Sequence, residues 1–244
     1  METIRPRIGT AGWAIPRAEA EHFPTEGTGL PRYAARFDAI EINSTFYRSH
    51  RATTYARWVA LTPEDFRFAV KLPRAITHEA RLVDTSSPLA TFCAEAAQLG
   101  AKLGPLLVQL PPSLAFGPAV AGAFLAALRD VWPGPIVCEP RHPTWFEAGA
   151  EAMLSAFQVA RAAADPARHP AAGQLGGRRG LSYWRHHGSP RMYYSRYEDH
   201  ALRDLAAAIG AAPAEAWCIF DNTTSGAAAG DALRLAAMLK APQR

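Results

Sequence analysis

The sequence predicts an α/β protein of the (β/α)8 class, a single TIM-type barrel over residues 1–244. Three observations predict it. Eight short β-rich runs recur along the whole chain, each is followed by a turn or an amphipathic segment, and 244 residues match the length of about 250 typical of that barrel. The runs cover 8–11, 39–45, 66–71, 105–110, 135–139, 159–165, 181–187 and 216–222. The competing α/β architecture, an open doubly wound sheet, has a glycine fingerprint GxGxxG that is absent here, since Gly9 and Gly12 lack its spacing.

The connecting segments follow in order. After the third run, Thr85, Ser86 and Ser87 offer helix caps before Pro88, and Leu89, Phe92, Cys93, Ala96, Leu99 and Leu103 keep helical spacing. Gly117 and Pro118 open the next helix, with Val120, Phe124, Leu128 and Val131 on one stripe and Pro133 as its stop. Thr144 is read as the cap of a third helix burying Phe146, Met153, Leu154 and Phe157. The segment 166–180 holds two prolines and four glycines, which predicts a loop in place of the sixth helix. Leu202, Leu205 and Ile209 mark a further helix ended by Gly210, and 225–240 forms the last.

Bulk composition narrows the function classes. Hydrophobic residues at 49% and charged residues at 20% support a large core and exclude a disordered chain. Met1 to Arg7 carry no apolar stretch and no later run reaches about 18 apolar residues, so a cytoplasmic protein without a membrane partner is expected. Cys93, Cys138 and Cys218 are odd in number, widely spaced and set in apolar runs, which supports neither disulfides nor a zinc motif. The net charge of +4 favours an anionic ligand. Nearly all basic residues are arginine, the lysines being Lys71, Lys102 and Lys240. An arginine stays charged, whereas burial can tune a lysine, and this singles out Lys71 at the end of an apolar run.

In a parallel barrel all strands point their C-terminal ends at one rim, so the chemistry is sought there. The run ends supply Asn43, Thr45 and Tyr47, then Lys71 with His78, Gln109, Glu139 with Arg141 and His142, Asp165, Arg185 with His187, and Asp221, Asn222 and Thr223. Glu139 reads as an acid, a base or a ligand contact, or as half of a structural Glu-Arg pair. Lys71 reads as an anion binder, a base or a Schiff-base nucleophile, or as the partner of Glu139 or Asp165. Alternation places Arg185 and His187 on one side, opposite Trp184 and His186. Gly188 and Ser189 would offer free amides, and the turn from Asn222 to Gly226 would hold a phosphate or simply cap the last helix. No cofactor is predicted. A divalent metal on Glu139, His142, Asp165, His187 and Asp221 is a minority alternative without a sequential ligand motif.

Taken together, IGTAGW (8–13), EINSTFY (41–47), FAVK (68–71), Thr77-His78, LGPLLVQLPP (103–112), EPRHPTWF (139–146), 185–188 and 220–223 resemble the YecE-like family over nearly the whole chain. That resemblance implies a barrel with no assigned reaction. It also implies a shared polar set of Asn43, Thr45, Tyr47, Lys71, His78, Gln109, Glu139, Arg141, His142, Arg185, His187 and Asn222. Trp184 and Asp221 depart from the family's pattern.

The resulting expectation is an enzyme, a hydrolase or isomerase, acting on a small anionic, phosphorylated or sugar-like substrate. Glu139, Lys71 and His187 are its catalytic candidates. Asn43, Thr45, Tyr47, His78, Gln109, Arg141, His142, Arg185, Asn222 and Thr223 are the substrate-binding ones. The alternatives are a nucleic-acid-binding barrel, suggested by the Arg- and Tyr-rich stretch 191–197, and a non-catalytic scaffold.

Overall fold

The computed structural model describes residues 5–212 and 215–240; the leading segment read above for its lack of an apolar stretch lies partly outside them. The strands are β1 (Arg7–Thr10), β2 (Ala39–Ile42), β3 (Arg67–Lys71), β4 (Leu103–Gln109), β5 (Ile136–Glu139), β6 (Val159–Arg161), β7 (Ala163–Asp165), β8 (Gly176–Gly177), β9 (Leu181–His186) and β10 (Glu215–Phe220). The order β2-β3-β4-β5-β6 runs parallel on one side, and β7-β9-β10-β1 runs parallel on the other. The ring joins where β6 passes directly into β7, and again where Ala11 bridges Glu41 in parallel. This is a (β/α)8 barrel, as the eight runs predict.

Helices α1 (Gly29–Ala34), α2 (Ala52–Ala60), α3 (Ser86–Ala96), α4 (Pro118–Val131), α5 (Ala148–Ala156), α6 (Asp199–Gly210) and α7 (Ala227–Lys240) connect the strands. The outward strand residues, among them Ile40, Ile42, Phe68, Val70, Leu106 and Val108, form one core with the buried helix residues Leu89, Phe92, Phe124, Leu128, Leu202 and Leu235. That is the burial expected of strands covered by a helical layer.

Inside the ring lies a second, separate core of Ala11, Ala39, Ala69, Leu107, Val137, Ala160, Ala162, Leu181, Tyr183, Trp217 and Ile219. Small residues in and around β1, β2, β3 and β6 leave room for Trp217 and Tyr183, whose rings stack at 6.1 Å between centroids. The interior is therefore a filled plug rather than a channel.

Several local expectations are corrected. The second run leaves strand geometry at Ile42, because Ser44–Phe46 forms a tight 3-10 turn that folds Thr45 back to bond the Ile42 and Lys71 carbonyls. The run 159–165 breaks at Ala162, where one half pairs with β5 and the other with β9. Thr144 does not cap α5. His142 accepts from the Thr144 amide at the head of a 3-10 turn, and the Thr144 hydroxyl accepts from the Phe116 amide 2.8 Å away.

The segment 166–180 does lack an α-helix. It holds one 3-10 turn and the short antiparallel β8, pinned by Arg161, which pairs with Glu151 and donates to the Ala171 and Gln174 carbonyls.

Candidate functional site

A strand presents alternate residues to the barrel axis, so the residue two positions beyond each plug residue faces inward one layer higher. The sequence makes that layer polar on six strands. Ala39 is followed by Glu41, Ala69 by Lys71, Leu107 by Gln109, Val137 by Glu139, Tyr183 by Arg185 and Ile219 by Asp221. These side chains, with His187, form a polar disc on top of the apolar plug at the C-terminal mouth.

Arg185 is its hub and is completely buried. Its Nε donates to Glu41 Oε2 at 2.9 Å and one terminal nitrogen donates to Glu41 Oε1 at 2.6 Å, a bidentate pair. That terminal nitrogen also reaches Asp221 Oδ2 at 3.1 Å, and the other donates to Glu139 Oε2 at 2.5 Å. Burial opposes the guanidinium charge, but Glu41, Glu139 and Asp221 outweigh it and hold its pKa well above the usual value.

Glu139 is enclosed by donors. Gln109 Nε2 lies 3.0 Å from Oε1, Arg141 Nε 3.1 Å and His187 Nε2 3.2 Å from the same oxygen. Burial alone would raise its pKa, yet Arg185, His187 and Arg141 drive it well below the ordinary carboxylate range. The other ring nitrogen of His187, Nδ1, lies 3.1 Å from Asp221 Oδ2. Burial disfavours the imidazolium, but Glu139 and the bonds to Asp221 and Glu139 raise its pKa overall. The Asp221 carboxyl falls below its usual value because Arg185 and His187 outweigh its burial.

Lys71 is different. It is only 5% exposed, yet among the described residues its amine makes no hydrogen bond and no ion pair. Instead Nζ lies 4.0 Å from the centroid of the Phe46 ring. Desolvation, and after it the Arg185 charge, lower its pKa from 10.5 to about 8, with Glu41, Asp221 and Glu139 acting in the opposite sense. The alternative pairing of Lys71 with Glu139 or Asp165 does not form, because Arg185 and Arg141 already occupy Glu139 and Tyr197 donates to Asp165 Oδ1 at 2.7 Å.

Around Lys71 the mouth has an aromatic wall. Phe46 meets Tyr47 edge-on at 5.0 Å and His78 at 4.9 Å, and Tyr47 is 74% exposed. His78 Nδ1 lies 2.8 Å from Thr77 Oγ1, and desolvation together with Lys71 lowers its pKa to about 4, so the ring is neutral at a pH of about 7. On the opposite side Tyr193, held at φ 69°, reaches Arg141 with its hydroxyl at 3.5 Å and packs edge-on against His187.

The remaining candidates hold the frame. Thr45 anchors its turn, and His142 caps the turn after β5. Asn222 is fully buried and donates to the Ser195 carbonyl and to Asp231, which ties down the loop after β9, while Thr223 is exposed beyond it. Asn43 is half-buried with an unpartnered Oδ1. The Gly188 amide is not free, since it donates to the Tyr197 hydroxyl at 2.9 Å. A Cβ at Gly188, whose φ is 93°, would lie 2.7 Å from the Ser195 carbonyl oxygen, so the loop needs glycine there. In the turn before α7, the Thr224 amide donates to Tyr193, Gly226 to Thr223 and Ala228 to Asn222, which leaves less of the expected phosphate cradle than the sequence offers.

The five-residue metal set also comes apart. Glu139, His187 and Asp221 meet, but Asp165 serves Tyr197 and His142 caps its turn. Among the described residues no group of three His, Cys, Asp or Glu is arranged to hold a metal ion. The Arg185 guanidinium lies where the carboxylates converge.

Sequence reasoning missed Glu41, Tyr183 and Tyr193. Glu41 is fully buried and is Arg185's bidentate partner, and Tyr183 donates to it at 3.0 Å. The signal for Glu41 was present: a carboxylate between two isoleucines faces the opposite side from both, and both face the helices.

Known proteins share sequence or fold with this chain. UPF0759 protein YecE of Escherichia coli K12 is 34% identical over 126 residues, which cover 51% of this chain and 45% of that protein, so the match spans less than half of the relative's length. The crystal structure of a DUF72 family protein (EF0366) from Enterococcus faecalis V583 superposes with a TM-score of 0.80 at 21% identity, covering 99% of this chain and 100% of that one. The apo 3-keto-D-glucoside 4-epimerase YcjR from E. coli shares the fold at TM-score 0.57 and 13% identity, covering 97% of this chain and 100% of that one. The family model described as "Protein of unknown function DUF72" matches residues 7–244, and the chain therefore belongs to the DUF72 family.

Proposed function

We propose that the chain is an enzyme that binds a small anionic, sugar-like substrate at the C-terminal mouth of the barrel, with Lys71 as the group that meets it. The observation that carries this reading is a lysine only 5% exposed whose amine has no partner among the described residues and lies against Phe46. Leaving a charge desolvated and unpaired costs free energy, so such a group is expected where a ligand completes it. In this reading Arg185 and Glu139 are not ligand contacts. They balance one another beneath the mouth and fix its field, and Glu139, being hard to protonate, acts as a fixed negative charge rather than a proton donor. Arg141, with 15% of its side chain exposed, and Gln109 complete the polar floor. The chemistry that suits this floor is proton transfer on a polarised substrate, as in isomerisation or hydrolysis.

A thermal-shift titration with inorganic phosphate and a panel of sugar phosphates tests this. Stabilisation of the wild type that fades above a pH of about 8 and is absent in Lys71→Met is the expected result. Equal stabilisation of both proteins, or of neither, would remove Lys71 from the site. Exposed Tyr47 and Tyr194, the latter with Arg191 stacked on it at 3.9 Å, support a second reading as a single-stranded nucleic-acid surface. That reading requires oligonucleotide affinity falling steeply with salt, and flat salt dependence discards it.

A further inference from the structure

The ion pairs of the polar disc are complete without Lys71. Three carboxylates, Glu41, Glu139 and Asp221, face Arg185, Arg141 and His187, and each carboxylate already has a partner within 3.1 Å. A lysine kept merely for charge balance would lie in that set. Lys71 instead stands beside it, with its backbone carbonyl held by the Thr45 hydroxyl at 2.7 Å and its amine against an aromatic face.

We propose that Lys71 is a Schiff-base nucleophile and that the substrate class is an open-chain aldehyde or ketone of a small hydroxylated compound. The proposal rests on the reading that Lys71 meets the ligand. It names the functional group that the amine takes.

The step balances without any co-reactant. The ammonium first gives up a proton; the Nζ lone pair then attacks the carbonyl carbon, forming the C–N bond while the carbonyl π pair moves to oxygen, which takes the proton. A second proton passes from nitrogen to that hydroxyl, and water departs as the C–O bond breaks and the C=N bond forms. One carbonyl compound and one lysine ammonium thus give one protonated imine and one water, with charge conserved and nothing oxidised or reduced. The protonated imine withdraws electrons from the neighbouring C–H bond, the requirement of an isomerisation.

The surroundings suit each stage. A pKa of about 8 leaves on the order of a few hundred times more free amine at neutral pH than a lysine at 10.5. The Phe46 face accepts the positive charge of the iminium as it does that of the ammonium. Neutral His78, packed on the same ring, adds no positive charge beside the iminium.

The chain offers a clean experiment because its lysines are few, Lys71, Lys102 and Lys240. Lys102 is engaged with the Val59 and Thr62 carbonyls and the Thr62 hydroxyl, and Lys240 is exposed on α7. Wild-type protein is incubated at neutral pH with glycolaldehyde and sodium cyanoborohydride, and the adducts are located by peptide mass spectrometry at early times. The expected result is alkylation of Lys71 at least about ten times faster than of Lys240, with no adduct at that position in Lys71→Arg. Alkylation of Lys240 and the amino terminus with Lys71 untouched would overturn the proposal. Phosphate-dependent stabilisation, measured on the same wild-type sample and on Lys71→Met, separates the two readings. If it persists in the wild type and is lost in Lys71→Met while trapping fails, the binding site stands and the covalent step falls.

Discussion

At the scale of single residues, Arg185 and Lys71 are two buried cations with opposite consequences. Arg185→Met leaves Glu41, with 0% exposure, without its bidentate partner, and breaking such a pair from one side costs about 3–5 kcal/mol. Lys71→Met replaces an unpaired, desolvated charge by an apolar side chain of similar length and should leave stability unchanged or raise it. Urea unfolding of the two variants checks the contrast, and a large loss in Lys71→Met would mean that the amine has a structural partner. The residues that were legible from the sequence were those ending a strand in a conspicuous motif, such as Glu139 in EPRH and Lys71 in FAVK. Glu41 was passed over, because it lies inside the second run and not at its end, where the chemistry was sought. Asn222 and Thr45 were legible as positions but not as roles, since only the folded chain shows the Thr45 hydroxyl and the Asn222 amide nitrogen bonded to backbone carbonyls.

At the scale of elements, β1 and β2 join without a regular ladder. Their contact is the Ala11–Glu41 bridge, supplemented by the Tyr33 hydroxyl of α1, which accepts from the Thr10 amide at 2.8 Å and donates to the Ala39 carbonyl at 3.1 Å. Gly9 permits this closeness, since a Cβ there would lie 2.2 Å from the Ala39 carbonyl oxygen. Tyr33→Phe therefore strands two buried backbone groups, at a cost of about 1–3 kcal/mol. Hydrogen exchange should accelerate at Thr10 while the β4 amides stay protected; uniform acceleration across the barrel would show that the hydroxyl holds no local seam. The eight strand runs were legible because β-branched and aromatic clusters recur between turn signals. The turn after β2 and the break at Ala162 were not, since both are imposed by pairing with strands remote in sequence.

At the scale of the whole molecule, the buried disc makes stability depend on pH in a signed way. His187 has a folded pKa above its unfolded value, so its contribution is complete below about 6.5 and is lost as pH rises through the folded value. Glu139 and Asp221 have lowered values, and theirs is complete above about 4 and is lost as pH falls through the folded values. Lys71 acts oppositely to His187, since its charge penalises the fold below about 8 and the penalty lifts as pH climbs towards 10.5. Urea midpoints across this range should fall on the acid side and dip above neutrality, and His187→Gln should flatten the dip; an unchanged profile would mean that His187 folds neutral. The isolation of Lys71 also has a bearing on calorimetry. An anion that prefers the ammonium form must, at a pH of about 8, draw part of a proton from solution as it docks. Its apparent heat would then track the ionisation enthalpy of the buffer, whereas identical heats in Tris and phosphate-free HEPES would mean that the amine keeps its protonation state throughout.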